Sequence, residues 1–125
     1  MNIPGLITPF TAAAAIGAHL IAAHGVTDGA AVQADDGATM LLGVTTELPA
    51  AAGAVADVVR SGPASVTYGG TVARGAPLTA DAAGRAVAVA LPAEADTFIV
   101  AEVSGVVGDI GSALIAPGFI PATAP

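Results

Sequence analysis

Cysteine and tryptophan are absent from this 125-residue chain, and aromatic residues make up 3% of it. Without thiols there are no disulfides and no thiolate metal ligands, so the fold holds without covalent staples in any redox compartment. With so few aromatics the core falls to Val, Ile, Leu and Ala, which bury less area each at about 25 cal/mol per Å². Such a subunit gains only modest stability alone, and burial against copies of itself is a natural supplement, so an oligomer is expected. Lysine is missing too: Arg60, Arg74 and Arg85 stand against ten acidic residues, for a formal charge of −7. That surface repels phosphate backbones and anionic lipid alike, which argues against nucleic acid as a partner and for an exposed, soluble role. It also closes the reading of a lipoyl- or biotinyl-carrier domain, which needs a lysine for covalent attachment.

Long uninterrupted apolar runs are also lacking, although the hydrophobic fraction is 54% and the mean hydropathy +0.80. Ala and Gly inflate both values. The best membrane-span candidate, Ile3 to Val26, is broken by Pro4, Gly5, Pro9, Gly17 and Gly25 and contains His19 and His24. No membrane span is expected. The same stretch fails as a secretory signal, because no Lys or Arg precedes it.

What the chain does have is dense punctuation. Turn signals recur at 25–29, Asp35-Asp36-Gly37, Pro49 to Gly53, Ser61-Gly62-Pro63, Gly69-Gly70, Arg74-Gly75, Asp81 to Gly84 and Gly108 to Gly111. The intervals leave room for short strands and little else, so the chain reads as all-β, a small barrel or sandwich in one domain. Strands are expected at Ala18–Ala23, Met40–Glu47, Ala54–Arg60, Ala64–Tyr68, Pro77–Thr79, Ala86–Ala90, Phe98–Val103 and Ser112–Ile115. Alanine favours helix, but Val55, Val58 and Val59 are β-branched and Gly53 would cost a helix about 1 kcal/mol. A short helix within Thr11–Ile16, capped by Thr11, remains an expectation. A weak internal echo links Gly53–Gly62 to Gly108–Gly118. Each runs from a glycine turn through an apolar strand to a glycine, too briefly to establish a duplication.

Chemistry is sparse. His19 and His24 would face opposite ways on a strand, so no joint metal site is expected. Asp35-Asp36-Gly37 reads as a turn, since the alternating oxygen ligands of a calcium loop are missing. The glycine-rich 105–111 stretch lacks a following Lys-Ser/Thr and reads as a loop. There is no Gly-x-Ser-x-Gly elbow, and the residues for a sugar cleft are few. The expectation is a non-enzyme without cofactor or metal.

Both ends are rich in proline. Met1 to Pro9, and the stretch from Ala116 to Pro125 with Phe119 and Ile120, read as extended arms with apolar residues to dock, or as frayed ends. The expected layout is an N-terminal arm over 1–16, a barrel-like domain over 17–118 and a tail over 119–125. Candidate interface residues are Ile3, Pro4, Leu6, Ile7 and Phe10 at one end and Phe119 and Ile120 at the other. Arg60, Arg74 and Arg85 join them, because an arginine can grip carboxylates on a neighbour, although each serves equally well in an internal salt bridge.

From Tyr68-Gly69-Gly70 through Arg74-Gly75-Ala76-Pro77-Leu78-Thr79 to Asp81-Ala82-Ala83-Gly84-Arg85-Ala86 the chain resembles the capsid cement, or decoration, proteins of tailed phages. The likeness extends to Gly17–Gly25 with Asp28-Gly29, to Leu42-Gly43-Val44-Thr45 and to Gly105–Gly118. Ala76 departs from the acidic residue usual there. Physically, Gly75 and Gly84 suit positive φ, Pro77 an edge strand, and Asp81 a bond to its own turn. The resemblance implies a barrel-like or β-tulip-like subunit that trimerises. It further implies binding to the major capsid protein on the outside of the head, at threefold and quasi-threefold positions, where the subunit would stabilise the expanded shell. The alternative is a head-fibre or host-surface ligand-binding module.

Overall fold

The computed structural model describes residues 6–35, 41–89, 95–96, 99–115 and 119–120. The first half holds β1 (Ile7–Ala12), β2 (Ile21–His24), β3 (Ala30–Gln33), β4 (Leu41–Thr45) and β5 (Val55–Val59). The second holds β6 (Gly62–Thr67), β7 (Pro77–Ala80), β8 (Ala86–Ala88), β9 (Ala95–Asp96), β10 (Ile99–Ala101), β11 (Ile110–Ile115) and β12 (Phe119–Ile120). The fold is all-β, and none of the described residues is helical.

Strands β1 to β5 close a barrel in the order β1-β3-β2-β4-β5, with β5 returning antiparallel to β1 and β3 lying parallel to β1. The second sheet runs β6-β11-β10-β7-β8. It nearly closes too, because Tyr68, just after β6, forms a parallel bridge to Ala86 at the start of β8. The two halves therefore share one topology: β1, β2, β3, β4 and β5 correspond to β6, β7, β8, β10 and β11. Loop bonds repeat with the strands. The Ile16–Ala50 bridge has its counterpart in Val72–Gly105. The Gly53 N–H donates to the Ala12 carbonyl as the Gly108 N–H donates to that of Tyr68. The Ala54 N–H donates to Ala51 as the Asp109 N–H donates to Val106. Gly29 and Gly84 hold φ of 77° and 75°, and Gly53 and Gly108 hold 82° and 90°. The echo between 53–62 and 108–118 is one visible piece of this repeat.

Two apolar clusters organise the chain. Ala12, Ile16, Ala22, Ala31, Leu42, Ala50, Ala56 and Val58 fill the barrel. A second cluster combines Ile21, Ala23, Ala34, Val44 and Val59 from the barrel's outside with Val66, Tyr68, Val72, Leu78 and Ile115 of the second half. That shared core makes the two halves one domain. Their interiors fill differently at matched positions. Where the barrel has Ala12 beside Ala50 and Ala56, the second half has fully buried Tyr68 beside Gly105 and Gly111. A Cβ on Gly105 or Gly111 would come within 2.6 Å or 2.5 Å of the Tyr68 ring. One large side chain thus replaces several methyl groups, conserving volume as close packing demands.

Each of the eight expected strands has a counterpart, shifted at its ends, and four strands were not foreseen: β1, β3, β9 and β12. The expected arm over 1–16 gives way at Ile7, since Ile7 to Thr11 pair with Val59 to Val55. The short helix expected in Thr11–Ile16 is absent because Thr11 and Ala12 end β1 and Ile16 bridges to Ala50, tying this backbone into the barrel. Pro77 is not on an edge strand, for β7 lies between β10 and β8. It is tolerated because it opens the strand, where one missing N–H costs little. Met1 to Gly5, Asp36 to Met40 and the last five residues lie outside the described residues.

Candidate functional site

Four of the candidate interface residues gather at the seam where β1 meets β5. The Leu6 carbonyl accepts the Arg60 N–H at 2.7 Å, and the Leu6 N–H donates to Ser61 Oγ at 2.8 Å. Ile7 pairs with Val59. The Arg60 guanidinium lies 5.4 Å from the centroid of the Phe10 ring, within cation–π range. His24 meets the same ring edge-on, with centroids 6.5 Å apart. Phe10 packs on the barrel core, while Leu6 and Ile7 stay 56% and 42% exposed. The seam thus carries Phe10 with the Arg60 cation on one face of β1 and Ile7, beside the cleft, on the other.

The other candidates lie elsewhere. Arg85 turns inward on its own loop, its Nε 3.1 Å from Asp81 Oδ2. Asp81 Oδ1 accepts the N–H groups of Ala83 and Arg85, so this carboxylate closes the β7–β8 turn as expected. Arg74 is exposed, and its backbone N–H donates to Ser104 Oγ. Phe119 and Ile120 pair through their backbones with Asp96 and Ala95. Ile3 and Pro4 lie outside the described residues.

A cleft of about 280 Å³ opens where the halves meet, lined by Ile7, His19, Glu47, Val59, Pro63 and Ser65 among others. His19 sits in the loop before β2, with Nδ1 3.3 Å from the Ser65 carbonyl. Buried Thr45 donates its hydroxyl to the Gly17 carbonyl and accepts the Leu20 N–H, which fixes that loop. His19 and His24 are thus divided between the cleft and the Phe10 face. No group of three His, Cys, Asp or Glu able to hold a metal occurs among the described residues. No helix among them is long and apolar enough to cross a membrane.

Sequence reasoning missed a set of exposed apolar side chains. Leu48 and Val55, on the β4–β5 connection and strand, are 68% and 67% exposed. Their counterparts after β10 and on β11, Val103 and Ile110, are 43% and 58% exposed, and Val106, Val107 and Leu114 lie nearby in sequence. Within the echo only the Val55 and Ile110 pair is outward in both copies, whereas Val58 and Ala113 are both 0% exposed, so the repeated apolar positions gave no signal for the surface set. Tyr68, the only Tyr or Trp ring in the chain that could stack on a sugar, is buried and donates its hydroxyl to the Val103 carbonyl at 2.8 Å.

No family model matches the chain, and no curated protein matches it. Among solved structures it is similar to the head fiber gp8.5 N base of bacteriophage phi29, with a TM-score of 0.69. The likeness covers 89% of this chain and 93% of that one at 18% identity. At such identity it shows the fold: all-β, with the barrel and second sheet traced over nearly the whole of both chains.

Proposed function

We propose that this chain is a structural, non-enzymatic protein of the outside of a tailed-phage head. The observation that carries the reading is a fold shared, almost end to end, with the base of a phage head fibre. The order of glycine turns that resembles cement proteins points to the same location independently. An acidic surface without lysine suits a shell exterior better than its DNA-facing interior. The work asked of such a protein is binding, with the major capsid protein as partner and a homotrimer as the form the resemblance implies. Leu6, Ile7, Phe10 and Arg60 at the seam, and exposed Arg74, are the side chains we assign to contact.

Two forms of this role differ in number. We take a cement protein to cover the shell at threefold and quasi-threefold positions and a fibre base to occupy fewer of them. The host-ligand version loses its one candidate sugar platform, since Tyr68 lies in the core and stacking needs an exposed ring. Quantitative mass spectrometry of purified particles decides: a ratio to major capsid protein near one to one establishes cement. A small fixed number establishes a fibre base, and complete absence from particles removes the head assignment altogether.

A further inference from the structure

The two halves meet front to back, and each leaves one matching face uncovered. Across the barrel runs a row of paired residues, Ile7–Val59–Val44–Ile21. Its counterpart in the second sheet is Pro63–Leu114–Val100–Pro77. The first row is covered by the second half: Val59, Val44 and Ile21 are 5%, 0% and 0% exposed. The second row is open: Leu114 is 41% exposed, Pro77 exposed and Val100 half-buried. The same positions, apolar in both halves, are core in one and surface in the other.

The covering side behaves in the same way. The second half reaches the barrel with β6 and the β7–β8 turn. The Thr67 N–H donates to the His19 carbonyl, the Ile21 N–H to the Gly84 carbonyl, and Gln33 Nε2 to the Ala83 carbonyl. The barrel's equivalents of Ser65, Thr67 and the Ala83-Gly84 turn are Pro9, Thr11 and Asp28-Gly29. All four are exposed.

We propose that a second copy of this chain covers the Leu114–Val100–Pro77 face with its own Pro9, Thr11 and Asp28-Gly29 edge, repeating between chains the contact that joins the halves within one. Such an interface is heterologous, so each chain offers one donor edge and one acceptor face, and successive copies close a ring or extend a filament. The internal contact cannot be copied bond for bond. Pro77 has no N–H to match that of Ile21, and the Gly29 carbonyl already accepts the Thr11 N–H at 2.9 Å. What carries over is the apolar row, so the contact between chains is weaker than the internal one and dissociable. Like charges on an acidic chain oppose it, and salt strengthens it by screening them.

Sedimentation of the full chain over a range of concentrations tests this, with Leu114→Glu breaking the acceptor face and Pro9→Glu the donor edge. Both sites are exposed, and circular dichroism verifies folding before either is used. Each variant alone should weaken association by about 30-fold or more. Their equimolar mixture should form heterodimers that grow no further, because each partner keeps one intact side. A native chain that stays monomeric at every concentration and salt overturns the proposal. So does unimpaired assembly of either variant, or a mixture that stays monomeric. None of these readouts involves a phage head, so the assembly inference and the assignment to the head fail separately, while a chain that stays monomeric would remove the homotrimer with the inference.

Discussion

His19 and Gly75 occupy the same turn of the two halves, the one that leads into β2 and into β7, and both hold positive φ, 55° and 87°. His19 is the only non-glycine residue with positive φ among those described. Nothing stands within 4 Å of a Cβ built on Gly75, so the cost of a side chain there is conformational alone. Gly75→Ala should destabilise the chain by about 1–2 kcal/mol, and His19→Gly should be neutral or stabilising by less than that. Urea unfolding midpoints of the two variants give the comparison. An equal loss in both would mean that the His19 contact to Ser65 outweighs its backbone strain.

Tyr68 yields a pH dependence. Burial raises its pKa above the ordinary value of 10.0, and the charges of Asp109 and Glu102 push the same way. The folded state therefore favours the neutral phenol. Its contribution is fully present below pH 10.0 and is lost as pH rises through the higher folded pKa. Unfolding measured between neutral and strongly alkaline pH should show that loss, and Tyr68→Phe should remove it. The same variant gives up the bond to the Val103 carbonyl, at a cost of about 1 kcal/mol near neutrality. Gly111→Ala, which drives a methyl group into the ring, should cost about 1–3 kcal/mol.

Asp81 holds three donors with two oxygens, and the turn it closes presents the Gly84 carbonyl to Ile21. Asp81→Ala should therefore lower stability by about 1–3 kcal/mol, while Asp81→Asn, which keeps an acceptor for the backbone, should lose less. Hydrogen exchange at the Ile21 amide reads the coupling between halves. Faster exchange there in Asp81→Ala ties the turn to the interface, and an unchanged rate would confine its role to the loop.

Truncation separates the strand from what precedes it. Removing Met1–Pro9 deletes Ile7, Thr8 and Pro9 and with them their pairing to Val59, Val58 and Asp57. That should open the barrel and lower the thermal midpoint sharply. Removing only Met1–Gly5 leaves β1 whole, and the midpoint should stay within a few degrees of the native chain's. Calorimetry of both truncations distinguishes these outcomes.

The eight strands legible in the sequence carry β-branched residues or lie between clear turn signals, and their periods survive. The unforeseen ones lack such marks. β1 contains Pro9 and sits in a proline-rich opening, yet Pro9 is tolerated because the odd positions of β1 aim their N–H groups at the β3 side, as Thr11 does, and pairing with β3 begins only at Thr11. β3, Ala30–Gln33, is half alanine, a poor strand former, and is held by neighbours on both sides rather than by propensity. The repeat was legible only at 53–62 and 108–118. Elsewhere the matched positions hold unlike residues, Ala12 against Tyr68, Ile21 against Pro77 and His19 against Gly75, and only backbone pairing reveals their kinship. Of the candidate interface, sequence found the Leu6, Ile7, Phe10 and Arg60 seam one residue type at a time. That the four meet at one seam follows from the β1–β5 closure, which no local pattern announces, although Ile7 and Phe10 lie on opposite faces of β1. Arg85 illustrates the reverse case, where the bland alternative of an internal ion pair describes the geometry.

Barrel closure between the first strand and the fifth has a kinetic consequence. During synthesis β1 leaves the ribosome first, but β5, its antiparallel partner, comes last in its half. Until then β1 has only its short parallel pairing with β3, at Thr11 and Ala12, and the Leu6, Ile7 and Phe10 portion stays free to meet the nascent β1 of a neighbouring chain. Long-range closure of this kind is slow beside local hairpin formation, and the waiting interval is the window for aggregation. Yield of folded protein should therefore depend on expression rate and temperature more steeply than the stability of the finished barrel would suggest.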